Sequence, residues 1–334
     1  MKIVFRADAS RTIGTGHVMR CLALAKTLQS QGADIQFLCR RLEEDLIDWI
    51  REEHGFAVET CSATESETLP HPVDWLIVDH YGLDARWELR MRPQAKKIAV
   101  IDDLANRPHD CDLLIDQNYH PDSHRYDPLT PPECQRFLGP AYALLREEFK
   151  QARQTAHPRT GQIRRILISF GGSDPTHETE KVLNALQAVS HPLEVTVILG
   201  ILHPRADSLP SEFPQFEFLR GVSNMAELLC RADLVIGAGG TSSWERCCVG
   251  APTVVINVAD NQVDLSHQLE KIGVIRNLGL SQHVQMGDIA RVIDELIRNP
   301  EIVCALSEKA RRLVDGQGTE RVADALLFGA LAAI

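Results

Sequence analysis

Short apolar runs of strand length alternate with amphipathic segments of helix length throughout the chain, and this alternation restricts the fold more than any other feature. It closes as parallel sheets covered by helices, because each return between parallel strands needs a crossover long enough to hold a helix. The first half offers KIVFRAD (2–8), DIQFLC (34–39), VETC (58–61), DWLIVD (74–79), KIAVID (97–102) and CDLLID (111–116). Apolar residues recur at helical spacing over 17–31 and 43–54. The pattern restarts with RRILISFGG (164–172), LEVTVILG (193–200), FEFLRGV (216–222), DLVIGAGG (233–240) and PTVVINV (252–258). Between the halves, residues 150–163 are polar, hold Pro and Gly and lack periodicity, which reads as a linker. The expected class is α/β, with two Rossmann-like domains of parallel strands facing each other across a cleft. Residues 1–150 form the first domain, 151–163 the linker and 164–334 the second. Helical segments at 286–298, 300–314 and 319–332 close the chain; whether the last crosses back onto the first domain is left open. In a doubly wound sheet a ligand binds at the carboxyl ends of the strands.

Composition narrows the function classes. A formal net charge of −11 without a basic stripe argues against nucleic acid and against stable membrane association. No apolar run reaches the roughly 18 to 20 residues needed to cross a bilayer, and the start, a short strand followed by charge, does not read as a signal peptide. The expected location is the cytoplasm. The nine cysteines are scattered without CxxC pairs, which fits buried small hydrophobes in a reducing compartment better than disulfides or zinc. No Asp-rich pair suggests a metal, and no cofactor is expected.

Two turns carry the chemistry. After the first strand, Gly14-Thr15-Gly16-His17 opens a helix. Small residues let backbone approach a ligand, and free amides at a helix start favour anions. This is not the dinucleotide fingerprint, since only two glycines fall in place. His17 reads either as a proton acceptor at the mouth of the cleft or as a residue packing at a helix start. Arg20, one turn on, can meet a phosphate or a carboxylate, or lie on the surface. Asp8 can orient the imidazole, contact the sugar or end the strand as a turn residue. In the second half, Gly237, Gly239 and Gly240 precede Thr241, Ser242 and Ser243, good N-cap residues before a helix. A diphosphate there would meet several N–H donors and the positive end of the helix dipole. Glu245 lies one turn in, suited to a ribose or simply to the dipole. Gly171, Gly172 and Ser173 form a second such turn. Asn261 and Gln262 follow another strand end, where they contact sugar or phosphate or cap the next helix.

Taken together, RADAS-x-x-IGTGHVMRCLALA (6–25), IVDHYGLD (77–84), IDDLANR (101–107), LLIDQN (113–118), LGPAYALLREEF (138–149), ISFGGSDP (168–175) and GAGGTSSWE (237–245) resemble the UDP-sugar hydrolases of pseudaminic acid biosynthesis. The resemblance spans nearly the whole chain, in order. It implies a glycosyltransferase-B-like fold, similar to the peptidoglycan N-acetylglucosaminyltransferase. It implies cleavage of UDP-2,4-diacetamido-2,4,6-trideoxy-β-L-altropyranose to UDP and free sugar, so that the partner is a UDP-linked amino sugar. It implies further that His17 is the base and that Tyr81 assists near the sugar. Attack of His17-activated water at C1, opposite the departing UDP, would give inversion. His80 is assigned no role. The turn Asp315–Thr319 reaches the cleft if the last helix folds back. The alternatives are a glycosyltransferase of the same fold, which passes the sugar to an acceptor, a UDP-sugar 2-epimerase, and a binding protein without turnover. Epimerisation needs further cleft carboxylates, and a binding protein does not need His17.

Overall fold

The computed structural model describes residues 1–10, 13–61, 68–69 and 71–329. The chain folds into two compact units, Met1–Arg146 with Gln317–Ile334, and Glu147–Gly316. Unit 1 runs β1 (Lys2–Ala7), α1 (Gly16–Ser30), β2 (Asp34–Arg40), α2 (Ile47–His54), β3 (Ala57–Cys61), β4 (Val73–Asp79), α3 (Ala85–Met91), β5 (Ala95–Ile101), β6 (Leu113–Asp116) and β7 (Gln135–Leu138). Unit 2 runs α4 (Glu147–Thr155), β8 (Arg165–Ser169), α5 (Glu178–Leu186), β9 (Glu194–Leu199), α6 (Leu209–Glu212), β10 (Glu217–Arg220), α7 (Met225–Arg231), β11 (Leu234–Ala238), α8 (Ser242–Val249), β12 (Thr253–Asn257), α9 (Val263–Lys271), β13 (Arg276–Leu280), α10 (Met286–Arg298) and α11 (Pro300–Leu313). The last helix, α12 (Gly318–Phe328), belongs to unit 1; residues 330–332 of the expected helical segment lie outside the described residues.

Both sheets are parallel and doubly wound, in the orders β3-β2-β1-β4-β5-β6-β7 and β10-β9-β8-β11-β12-β13. The direction of winding reverses between β1 and β4 and between β8 and β11, which creates the two crevices where such sheets take ligands. The central strands are apolar on both faces, as burial under helices on two sides requires. Ile3, Phe5, Ile77 and Ala99 join Val18, Leu22 and Leu24 of α1 and Val322, Ala323 and Leu326 of α12 in one layer. Val4, Leu76, Val78, Ile98 and Val100 join Trp87 and Met91 of α3 on the opposite face. Two strands fall outside the expected runs. β7 (QRFL) and β13 (RNLGL) are edge strands of intermediate burial throughout, and half-exposed edges carry no continuous apolar run.

The expected linker is corrected. Residues 151–155 continue helix α4, whose Phe149 is fully buried, and Ile163 joins the core of unit 2. Arg159 caps the end of α7, donating to the carbonyls of Cys230 at 2.6 Å and Leu229 at 2.9 Å. A polar stretch held by such bonds has no hydrophobic period to read. α12 is fixed in unit 1 by Trp75, whose indole donates to the Leu326 carbonyl at 2.9 Å. Thr319 Oγ1 also accepts from the Leu145 amide at 2.8 Å and donates to the Leu145 carbonyl at 2.7 Å. Within this turn Gly318 lies so close to Tyr142 and Ala143 that a Cβ there would stand 2.4 Å from the Ala143 carbonyl oxygen. Among the described residues no helix is long and apolar enough to cross a membrane.

Candidate active site

The crevice between β1 and β4 is built from the end of each strand. Register pairs Ala7 with Asp79, so the carboxylate that ends β4 emerges beside the chain leaving β1. That chain turns at Gly14, whose φ of +81° suits glycine and whose amide donates to the Ser10 carbonyl at 2.8 Å. The turn delivers Gly16 and His17 to the first turn of α1. His17 Nδ1 lies 2.5 Å from Asp79 Oδ1. Arg20, one turn on, grips the same carboxylate with two nitrogens, Nε to Oδ2 at 2.6 Å and Nη2 to Oδ1 at 2.7 Å. Its Nη1 donates to Asp103 Oδ2 at 2.9 Å. The Tyr81 hydroxyl donates to Asp103 Oδ1 at 2.8 Å, and its ring meets the His17 ring edge-on, centroids 4.5 Å apart.

This network fixes the chemistry of the imidazole. An ionised carboxylate only accepts, so Nδ1 of neutral His17 carries the hydrogen and Nε2 keeps its lone pair. Among the described residues Nε2 has no hydrogen-bond partner in the protein, and the side chain keeps 8% exposure. Burial pushes the Asp79 carboxyl up, but the Arg20 guanidinium and His17 outweigh it and hold the group well below the usual carboxylate range. Burial and then the Asp103 carboxylate push the Tyr81 phenol well above its ordinary value, so its hydroxyl keeps its proton. The result is an imidazole with one nitrogen pinned and the other able to accept a proton.

Of the partners left open for Arg20, the structure shows carboxylates, Asp79 and Asp103, and its side chain is 3% exposed. One sequence reading changes. Asp8 does not orient His17. Its Oδ1 accepts from Arg6 Nη1 at 2.6 Å and from the Arg40 amide at 2.8 Å, its Oδ2 accepts from Arg40 Nε at 2.8 Å, and His80 Nε2 lies 3.3 Å away. His80 Nδ1 accepts from the Gly82 amide at 2.9 Å, so Nε2 carries the hydrogen toward Asp8. Asp8 and His80 thus brace the turn that carries Tyr81. The orienting carboxylate is Asp79, which the sequence did not single out.

In unit 2 the glycine turns gather at the second crevice. Gly171 has φ +80°, and a Cβ on Gly200 would stand 2.2 Å from the Gly172 carbonyl, so the turns after β8 and β9 touch. After β11, a Cβ on Gly239 would stand 2.9 Å from both Asn257 Oδ1 and Ser266 Oγ, and Gly240 has φ +88°. Gln262 packs on these two glycines, and its Oε1 accepts from the Val258 amide at 3.0 Å. Thr241 is the N-cap of α8 without a side-chain cap bond, followed by Ser242 and then by half-buried Glu245 in the first turn. Asn261 is exposed on the turn Asp260–Gln262. Arg246 was missed. It is buried behind the loop, with Nη2 donating to the Ala238 carbonyl at 2.6 Å and Ser243 Oγ at 3.0 Å. Burial lowers it to about 10, which leaves a cation behind the glycines at neutral pH. In the last turn, Thr319 and Gly318 serve the packing of α12 on unit 1. No cluster of three or more metal-ligating side chains occurs among the described residues.

No family model matches the chain. A protein of Campylobacter jejuni, the UDP-2,4-diacetamido-2,4,6-trideoxy-β-L-altropyranose hydrolase, is 33% identical over 283 residues, which cover 82% of this chain and 97% of that protein. The chain belongs to this hydrolase family. An uncharacterized protein of Methanocaldococcus jannaschii is 29% identical over 278 residues, 77% of this chain; the chain spans 55% of that relative's length. The crystal structure of Acinetobacter baumannii MurG superposes with a TM-score of 0.62 at 16% identity, covering 97% of this chain and 98% of that one. That likeness shows the fold, two doubly wound parallel-sheet units of the glycosyltransferase-B type. Within the hydrolase family frame, Asp79, Asp103 and Arg246 are what sequence reasoning passed over. The first two lie inside the motifs IVDHYGLD and IDDLANR, but nothing in their spacing pairs them with His17 and Arg20.

Proposed function

We propose that the chain hydrolyses UDP-2,4-diacetamido-2,4,6-trideoxy-β-L-altropyranose to UDP and the free sugar, with His17 as the general base. The relative's activity supports the substrate, and the pairing of His17 Nδ1 with Asp79 at 2.5 Å carries the mechanism. In this reading water gives a proton to His17 Nε2 as its oxygen attacks C1. The C1–O bond to the diphosphate breaks on the opposite face, and the sugar is released with inverted configuration. Diphosphate is a weak base, so its departure needs charge stabilisation more than a strong acid. Amides at Gly240, Thr241 and Ser242 and the start of α8 supply it. Gly171, Gly172, Asn261 and Gln262 line the nucleotide side, Glu245 takes the ribose hydroxyls, and Tyr81 flanks the reacting ring. Gly14 and Gly16 let the sugar approach the backbone beside the base.

Replacing a positioned base lowers turnover by about 10² to 10⁴. His17→Asn is therefore expected to bind UDP like the wild type in calorimetry while kcat falls by that factor. Turnover near the wild-type rate would remove His17 from the mechanism. NMR of the fresh product reads the anomer, and retention at C1 would rule out single displacement by water.

A further inference from the structure

Around His17 the charges do not cancel. The Asp79 and Asp103 carboxylates share one guanidinium, that of Arg20, while Arg125 donates to the Asp103 backbone carbonyl at 2.7 Å and pairs with the Asp116 carboxylate at 2.9 Å. Tyr81 and Cys21 flank the site as neutral groups, their protons held by burial above all. Arg20 already binds Asp79 through two nitrogens, so that pair alone is neutral. Arg20 Nη2 also stands 3.4 Å from His17 Nδ1, two donors face to face, and such a contact opposes a second proton on the ring. The remaining negative charge belongs to Asp103, whose side chain is 9% exposed. It reaches the imidazole from two sides, through Arg20 Nη1 and through the Tyr81 ring packed on His17. The neighbouring charged groups are paired among themselves: Asp102 with Arg107, Asp116 with Arg125, and Asp8 with Arg6, Arg40 and His80.

We propose that Asp103 is a positioning residue of the hydrolysis, holding Arg20 and Tyr81 in place and supplying the negative charge against which His17 becomes imidazolium. The inference rests on the reading of His17 as the base. When His17 Nε2 takes the proton of water, the cluster passes from one net negative charge to none, in a setting where water is largely excluded. Without Asp103 the same proton would create a net positive charge beside Arg20. Asp103 thus acts on the reacting ring through Arg20 and Tyr81, without touching it.

The test is an NMR titration of the His17 ring, assigned by its loss in His17→Asn, compared with the pH profile of kcat/KM. In Asp103→Asn the midpoint should fall by about one pH unit, the size expected of a charge just beyond direct contact. The acid limb of kcat/KM should move down by the same amount, and the plateau should drop about tenfold because the base is weaker. Asp103→Ser removes the charge without offering an amide to Arg20 and should shift the midpoint alike; Asp103→Glu keeps the charge and should titrate like the wild type. A loss of packing would lower the plateau without moving the midpoint. An unmoved midpoint in both charge-removing variants overturns the role of Asp103. Wild-type turnover in His17→Asn would instead sink the base reading, and the titration would still report on Asp103.

Discussion

The nitrogen of His17 that carries the hydrogen is decided by one carboxylate oxygen. Asp79→Asn puts that to the test, because an amide NH2 facing Nδ1 favours the opposite tautomer and turns the lone pair of Nε2 into an N–H. We expect kcat to fall by about 10² to 10⁴, with UDP affinity unchanged, since the loops proposed to hold the nucleotide belong to unit 2. Glu245 makes the complementary case. Glu245→Ala should weaken UDP binding by about ten- to a hundredfold, the worth of hydrogen bonds to a charged group, and leave kcat at saturation nearly intact. Unchanged UDP affinity in calorimetry would free Glu245 of the ribose. His17 was legible because glycines at a strand end leading into a helix are a local signal. Asp79 was not, since its partner lies 62 residues away and the pairing exists only once β4 lies beside β1.

α12 is held in unit 1 by its apolar face and by a few specific bonds. Thr319 satisfies both backbone groups of Leu145, a residue that is itself buried. Thr319→Val keeps the shape and removes the hydroxyl, leaving a buried N–H and C=O without that partner. Chemical denaturation should show unit 1 losing about 1–3 kcal/mol. A change within error would mean that water or a relaxed turn replaces the hydroxyl. The central strands were readable from their apolar runs. Edge strands β7 and β13 were not, because their residues are half exposed, mix polar and apolar side chains, and their pairing comes from the neighbouring strand. The stretch 151–163 reads as a linker for a related reason, since hydrogen bonds to carbonyls of other elements leave no trace in local periodicity.

On the scale of the whole molecule, the distribution of buried carboxylates sets the response to acid. In unit 1, burial pushes Asp8, Asp79 and Asp102 up, but His80 with Arg6, Arg20 with His17, and Arg107 respectively outweigh it. Their folded pKa values lie below the ordinary 3.8 of an aspartate, so they stabilise the fold above about pH 4, and that contribution is lost as pH falls below it. Asp116 runs the other way. Burial first, only partly offset by Arg125, raises it to about 7, so its contribution falls as pH rises from about 4 to 7. In unit 2, Asp174 and Asp233 are lowered as well, each chiefly against burial, by His203 and Arg165 respectively. The deepest depressions lie in unit 1, so on acidification below about pH 4 hydrogen exchange should rise first in β1 and β4. Exchange rising first in β8 and β11 would contradict this. The sequence by itself determined the α/β class, the restart of the pattern in the second half, the family and the two glycine turns, because these rest on local periodicity and on contiguous motifs. Only the tertiary structure decided that α12 belongs with the first unit, that Asp8 braces Tyr81 and that Asp79 and Asp103 enclose Arg20 beside His17. Those pairings join residues far apart in the chain, and parallel strand order, which no local pattern encodes, brings them within bonding distance.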